Sequence, residues 1–117
     1  TEGDLLFELV LKNVFVLTIN IAGLAVGGTV ARLWSDHRET TRHVADEMIQ
    51  LQERLSRTVF DKETLIAGML RGFKGDPDHR CRGRSAPGRL RRAMETADRL
   101  GLEMPETRRI AQQTDPS

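Results

Sequence analysis

The hydrophobic and polar positions of this chain divide it into one long uncharged run and a polar remainder. The run covers residues 13–31, NVFVLTINIAGLAVGGTVA, nineteen residues between Lys12 and Arg32. At a rise of about 1.5 Å per residue, a helix of this length spans the roughly 30 Å hydrocarbon core of a bilayer. Its aliphatic residues favour lipid, whereas Asn13, Asn20 and three glycines weaken that preference. The run therefore predicts a marginal transmembrane helix.

Apolar residues recur at helical spacing in the polar remainder and predict further helices there. Four segments follow this pattern: a seam of Val44, Met48, Leu51 and Leu55; a helix capped by Asp61; a helix from about Ser85 to a Schellman stop at Gly101; and a short helix after Pro105. The chain divides into a lead-in and transmembrane helix (1–34), amphipathic helices (35–74), a basic Gly/Pro loop (75–88) and a C-terminal helix and tail (89–117). The predicted fold class is all-α: a single transmembrane helix followed by a short cytoplasmic helical region of helix-loop-helix form.

The hydrophobic run also admits an interpretation without a membrane. Leu17, Ile19 and Ile21 alternate with Thr18 and Asn20, which is the period-two pattern of a strand. No second strand of comparable length is visible in the remaining sequence, and a lone strand has nothing to pair with. A buried core helix is the third interpretation of the same run.

Charges on either side of the run predict its orientation in a membrane. Acidic residues precede it and arginines follow it: Glu2, Asp4 and Glu8 on one side, Arg32, Arg38 and Arg42 on the other. The positive-inside rule then places the N terminus outside and the C-terminal portion in the cytoplasm. The acids at the start are also unlike the positively charged beginning of a secretory signal peptide.

Small residues recur every four positions inside the run. Gly23, Gly27 and Ala31 would share one face of a continuous helix, with Asn20 three residues earlier on the same face. Small side chains allow a second helix to approach closely, and an asparagine amide can form a hydrogen bond across such a contact. We expect these four residues to form a helix-packing face for other membrane proteins or for a second copy.

The net charge of +1 hides a strongly basic stretch in the second half. Residues 71–92 contain eight lysines and arginines against two aspartates, and the candidate contact residues are Arg80, Arg82, Arg84, Arg89, Arg91 and Arg92. Guanidinium groups bind phosphates and carboxylates, so a partner protein or anionic lipid headgroups are the expected counterparts. Nucleic acid is disfavoured because Phe73 is the one aromatic residue in this stretch, and no nucleic-acid-binding motif accompanies it.

Signatures of catalysis or of bound cofactors are absent from the sequence. His79 and Cys81 flank an arginine without the further ligands that a zinc site needs. Residues 23–29 lack the lysine of a phosphate-binding loop. Asp46 and Glu47 are interpreted as solubilising charges on an exposed helical face. We therefore expect neither an enzyme, nor a metal site, nor a cofactor.

Together these patterns predict a small single-pass membrane accessory or assembly subunit within a larger complex. The span would bind other membrane proteins, and the arginine-rich loop would bind a partner or anionic headgroups. The alternative is a soluble helical virion or nucleic-acid-associated component, with the hydrophobic run buried in an oligomeric interface.

Overall fold

The all-helical fold predicted from the sequence is confirmed. The computed structural model describes residues 2–81 and 84–114 and, within them, six helices and no strand. The helices are α1 (Glu2–Val26), α2 (Val30–Asp36), α3 (Arg38–Ser56), α4 (Lys62–Gly75), α5 (Ala86–Leu100) and α6 (Pro105–Thr114). The four segments predicted from apolar spacing correspond to α3, α4, α5 and α6.

The long apolar helix α1 contacts all five other helices. Residues Gly3–Val26 are long and apolar enough to cross a membrane. Val10, Val14, Ile19 and Ile21 of this helix are buried within the chain itself. The core helix of a bundle can have the same length and composition as a membrane span. These properties of α1 therefore do not establish a span.

The sequence predicts one continuous helix through residues 13–31. This prediction is wrong, because α1 ends at Val26. Gly27 and Gly28 follow with φ angles of +69° and +83°, a left-handed conformation that glycine adopts without steric cost. The Gly27 N–H donates to the Gly23 carbonyl (2.7 Å) and closes the last turn. The chain then turns and begins α2 at Val30.

The predicted apolar seam of α3 faces the core along most of its length. Val44, Met48 and Leu51 are buried, whereas Leu55 near the end of the helix is 49% exposed. The seam therefore joins α3 to the rest of the bundle, and its last position lies at the surface.

Glu47 on α3 is buried, and its interpretation as an exposed solubilising charge is wrong. Its carboxylate accepts hydrogen bonds from the Glu106 N–H (2.8 Å), the Thr107 N–H (2.8 Å) and the Thr107 hydroxyl (2.6 Å). These two N–H groups belong to the first turn of α6, whose donors have no partner inside the helix. Met104 precedes α6 and has no side-chain acceptor, so Glu47 supplies the cap from another helix.

Two glycines allow α4 to pack closely on α1. A Cβ atom at Gly72 would lie 2.5 Å from Cε2 of Phe15, and one at Gly68 would lie 2.9 Å from both methyl groups of Leu11. The Phe15 ring also meets the Phe73 ring edge-on, with centroids 5.7 Å apart. Gly68 and Gly72 of α4 therefore provide close small-residue packing against α1.

The predicted end of α5 is confirmed in detail. Gly101 follows the helix with a φ of 72°, and its N–H donates to the Asp98 carbonyl (3.3 Å). The Leu102 N–H donates to the Ala97 carbonyl (2.9 Å), which completes a Schellman motif. This stop turns the chain towards α6.

Candidate functional site

Backbone hydrogen bonds hold residues 77–81, which follow α4, against the start of α2. Three bonds make the connection: Val30 N–H to His79 O (3.0 Å), Ala31 N–H to Pro77 O (3.1 Å) and Cys81 N–H to Gly28 O (3.1 Å). Thr29 and Arg80 form an isolated antiparallel bridge at the same place. The backbone that positions Arg80 is therefore fixed to the core of the fold.

Cys81 anchors this loop through its side chain. It is 1% exposed and belongs to the same apolar core as Ile21 and Leu33. Burial raises the pKa of the Cys81 thiol to about 11, because the thiolate would lose its hydration there. Cys81 is a free cysteine, and its anchoring role was not predicted from the sequence. The sequence signal for this anchoring role is that Cys81 is a single apolar residue within a stretch of charged and turn-forming residues.

The first half of α5 separates an apolar face from a basic one. Ala86, Leu90, Ala93 and Ala97 are buried at helical spacing. Arg89, Arg91 and Arg92 occupy the intervening positions. The buried stripe therefore turns these arginines towards the surface.

We use the name basic surface for five of the predicted contact arginines, which lie in the loop before α5 and in the first two turns of that helix: Arg80, Arg84, Arg89, Arg91 and Arg92. Four are exposed and Arg89 is half-buried. Among the described residues, no carboxylate forms an ion pair with any of the five, and none of their guanidinium groups donates a hydrogen bond. Arg82, the sixth predicted residue, lies outside the described part of the chain.

Other arginines of the chain do have carboxylate partners. Arg108 pairs with Asp98 (2.8 Å), and Arg42 pairs with Asp46 (3.2 Å). The basic surface differs from these positions because its positive charges have no carboxylate partner among residues 2–81 and 84–114.

The N terminus of α5 lies within the basic surface. No side chain caps it, since Ser85 at the cap position forms no side-chain hydrogen bond. A Cβ atom at Gly88 would lie 3.5 Å from Nη1 of Arg92, so this guanidinium reaches back towards the start of the helix. The positive end of the helix dipole adds to the charge of the arginines. The arrangement favours an anionic group at this end of α5.

Comparison with known proteins assigns the chain to no family. No family, curated protein or solved structure matches it. Its function is therefore inferred from its residues and their geometry.

The four residues of the predicted helix-packing face do not share one helix face. Asn20 is 6% exposed, and its side-chain amide donates to the Val16 carbonyl of its own helix (2.8 Å). Gly23 is buried in the last turns of α1. Gly27 lies beyond the end of α1, and Ala31 is an exposed residue of α2. The end of α1 at Val26 separates the four positions, because the spacing argument assumed one continuous helix.

The described residues contain no group of three or more side chains suited to hold a metal ion. His79 lies 3.4 Å from the Asp76 carboxylate, and both are exposed on the loop. A groove of about 450 Å³ between α3 and α6 is lined by His43, Asp46, Glu47, Pro105, Glu106 and Arg109. Its charged groups are already engaged, since Arg109 pairs with Glu106 and Glu47 caps α6. The basic surface is therefore the stronger candidate for a functional site.

Proposed function

We propose that this chain is a non-catalytic accessory or assembly subunit that binds an acidic surface of a partner protein through its basic surface. The observation that supports this function is that these five arginines, in the loop before α5 and in its first two turns, have no carboxylate partner in the described part of the chain. Guanidinium groups without a carboxylate partner are free to bind the carboxylates of another molecule. In this function α1 serves as the core helix of the bundle.

The fixed backbone of the loop supports binding by reducing the conformational entropy lost when a partner docks. Three backbone hydrogen bonds and the buried Cys81 side chain already hold residues 77–81 in place. Only the arginine side chains then lose freedom on binding, at about 0.5–1.5 kcal/mol each. Ion pairs at exposed sites contribute about 0–1 kcal/mol each, so we expect modest affinity that falls with salt.

The surroundings of the basic surface favour a protein over a nucleic acid or a lipid. Phe73, the one aromatic residue among residues 71–92, is buried and unavailable for base stacking. The four most exposed large apolar side chains lie elsewhere in the sequence: Leu5, Leu9, Leu55 and Val59. Residues 71–92 therefore contribute none of these four side chains for insertion into a bilayer.

Binding to three labelled probes tests this proposal. The probes are an acidic peptide of about ten glutamates, phosphatidylserine vesicles and a single-stranded oligonucleotide, each titrated at about 0.05 M and 0.3 M salt to vary screening. We expect the acidic peptide to bind at low salt, with a loss of affinity at high salt. Arg89→Glu combined with Arg92→Glu should weaken this binding at least about tenfold, because two attractive contacts become repulsive.

A matched variant controls for net charge. Arg57→Glu combined with Arg99→Glu changes the charge by the same amount at two exposed positions outside the basic surface. This control should change the affinity for the acidic peptide less than about threefold. Equal losses in both variants, or binding to vesicles or oligonucleotide without binding to the peptide, would overturn the proposal.

A membrane accessory subunit is a second candidate function, favoured by the length and apolar composition of residues Gly3–Val26. In this function α1 crosses the bilayer, with its N terminus outside and the C-terminal portion in the cytoplasm. Asn20 and Gly23 then contact other membrane proteins, and the arginines contact anionic headgroups. The cost is the loss of the packing between α1 and the other five helices.

Carbonate washing of the expressed chain without detergent distinguishes the two functions. A chain that remains in the aqueous fraction as a folded helical protein supports α1 as a core helix. A chain that stays with the membrane fraction supports the accessory subunit and contradicts the first proposal.

A further inference from the structure

A second surface, independent of the basic surface, lies on the N-terminal half of α1. Leu5 and Leu9 are 74% and 55% exposed and lie four residues apart, so they share one stripe of the helix. Beside this stripe a groove of about 300 Å³ opens between α1 and α4, lined by Glu8, Leu11, Lys12, Phe15, Gly68 and Gly72. Leu11 and Phe15 lie against the two glycines of α4 and form part of the lining of this groove.

Two opposite charges border the apolar stripe. Glu8 and Lys12 are exposed and one helical turn apart, yet neither forms an ion pair or side-chain hydrogen bond with any described residue. A Glu and Lys pair at this spacing stabilises a helix by only about 0.2–0.5 kcal/mol. Both groups therefore remain available for pairing with another molecule.

We propose that two copies of this chain associate through this face, with their α1 helices antiparallel about a two-fold axis at the level of Val10. With the axis there, Glu8 of each copy lies opposite Lys12 of the other. Leu9 of each copy lies beside Leu9 of the other, next to the axis, so the two leucine stripes pack against each other. Each copy thus provides partners for Glu8 and Lys12 of the other.

A second copy fits this surface because a two-fold interface must be complementary to itself. The face of α1 meets that requirement with one acid and one base on opposite sides of the axis, and with a leucine stripe that the axis places against itself. An anionic lipid surface fits less well, since Glu8 lies among the leucines and would meet negative headgroups. The interface is formed chiefly by one short helical face, and a typical stable interface buries about 1,200–2,000 Å², so the dimer is weak and depends on concentration.

Sedimentation velocity over a range of concentrations measures this association. The wild-type chain should shift from monomer to dimer as concentration rises. Leu9→Glu should raise the dimer dissociation constant at least about tenfold by placing a charge at the apolar centre. Gln50→Glu, at an exposed position of α3, serves as the matched control and should leave the constant within about threefold.

Charge exchange tests the antiparallel arrangement itself. Glu8→Lys alone or Lys12→Glu alone places like charges opposite each other and should weaken the dimer about tenfold. The double variant restores opposite charges across the axis, and its dissociation constant should return to within about threefold of wild type. A wild-type chain that stays monomeric, a dimer insensitive to Leu9→Glu, or a double variant no tighter than the single ones would overturn the proposal. Recruitment to phosphatidylserine vesicles through Leu9 in place of dimerisation would also overturn it.

Discussion

The bond between Glu47 and the start of α6 allows a strong prediction about stability. Replacing Glu47 by alanine removes the acceptor for the N–H groups of Glu106 and Thr107 and for the Thr107 hydroxyl. Loss of a helix cap costs about 0.5–2 kcal/mol, and hydrogen bonds to charged groups contribute about 1.5–3 kcal/mol each. Water can reach the freed donors once the start of α6 loosens, which reduces the total. We expect a loss of about 2–4 kcal/mol in the free energy of unfolding.

Urea unfolding followed by circular dichroism measures this loss directly. Glu47→Gln should cost about half as much as Glu47→Ala, because the amide keeps one acceptor oxygen but has no charge to interact with the α6 dipole. Glu39→Gln, on the exposed face of the same helix, should change stability by less than about 0.5 kcal/mol. Amide exchange in α6 should accelerate in the Glu47 variants. If Glu47→Ala were no more destabilising than Glu39→Gln, the capping role would be refuted.

Three further positions, Gly72, Thr18 and Cys81, test the packing of the fold. Gly72→Ala should destabilise by about 1–3 kcal/mol, because the new methyl group would meet the Phe15 ring, whereas Gly75→Ala in open space should be neutral. Thr18→Val should raise the free energy of unfolding by about 1 kcal/mol, because the Thr18 hydroxyl is buried without a hydrogen-bond partner. The urea midpoint should rise accordingly, and a lower midpoint would contradict this. The Cys81 thiol, with its pKa raised to about 11, should react with a disulfide reagent far more slowly in the folded chain than in urea. Because the pKa is raised in the folded chain, burial of the thiol contributes stability that is present below the ordinary thiol pKa and lost as the pH rises towards 11. Cys81→Ala should remove this loss of stability at alkaline pH.

Most helix positions could be predicted from the sequence because the local signals there agree with the tertiary structure. In α5 the buried stripe, the Ser85 start and the Gly101 stop all indicate the same element. The basic loop was also predicted, since its residues lack apolar periodicity. Whether the arginines have partners could not be predicted, because that depends on which elements pack around them.

The end of α1 and the role of Glu47 were missed for different reasons. A glycine pair inside an apolar run fits a membrane helix as well as a helix end, and only packing decides between them. Glu47 lies directly beside Met48 of the apolar seam, and α6 starts after Met104, which cannot cap it. Together these two facts indicate a buried acceptor for the start of α6. The two residues lie almost sixty positions apart, so local sequence patterns do not connect them.

Hydrogen exchange of the α1 amides in detergent-free buffer tests the central claim most directly. With α1 as the core helix, residues 10–26 should exchange with protection close to the global free energy of unfolding, and Leu5 and Leu9 should lie in a less protected first part of the helix. An α1 segment that exchanges as fast as the loop at residues 57–61, while α3 to α5 stay protected, would contradict it.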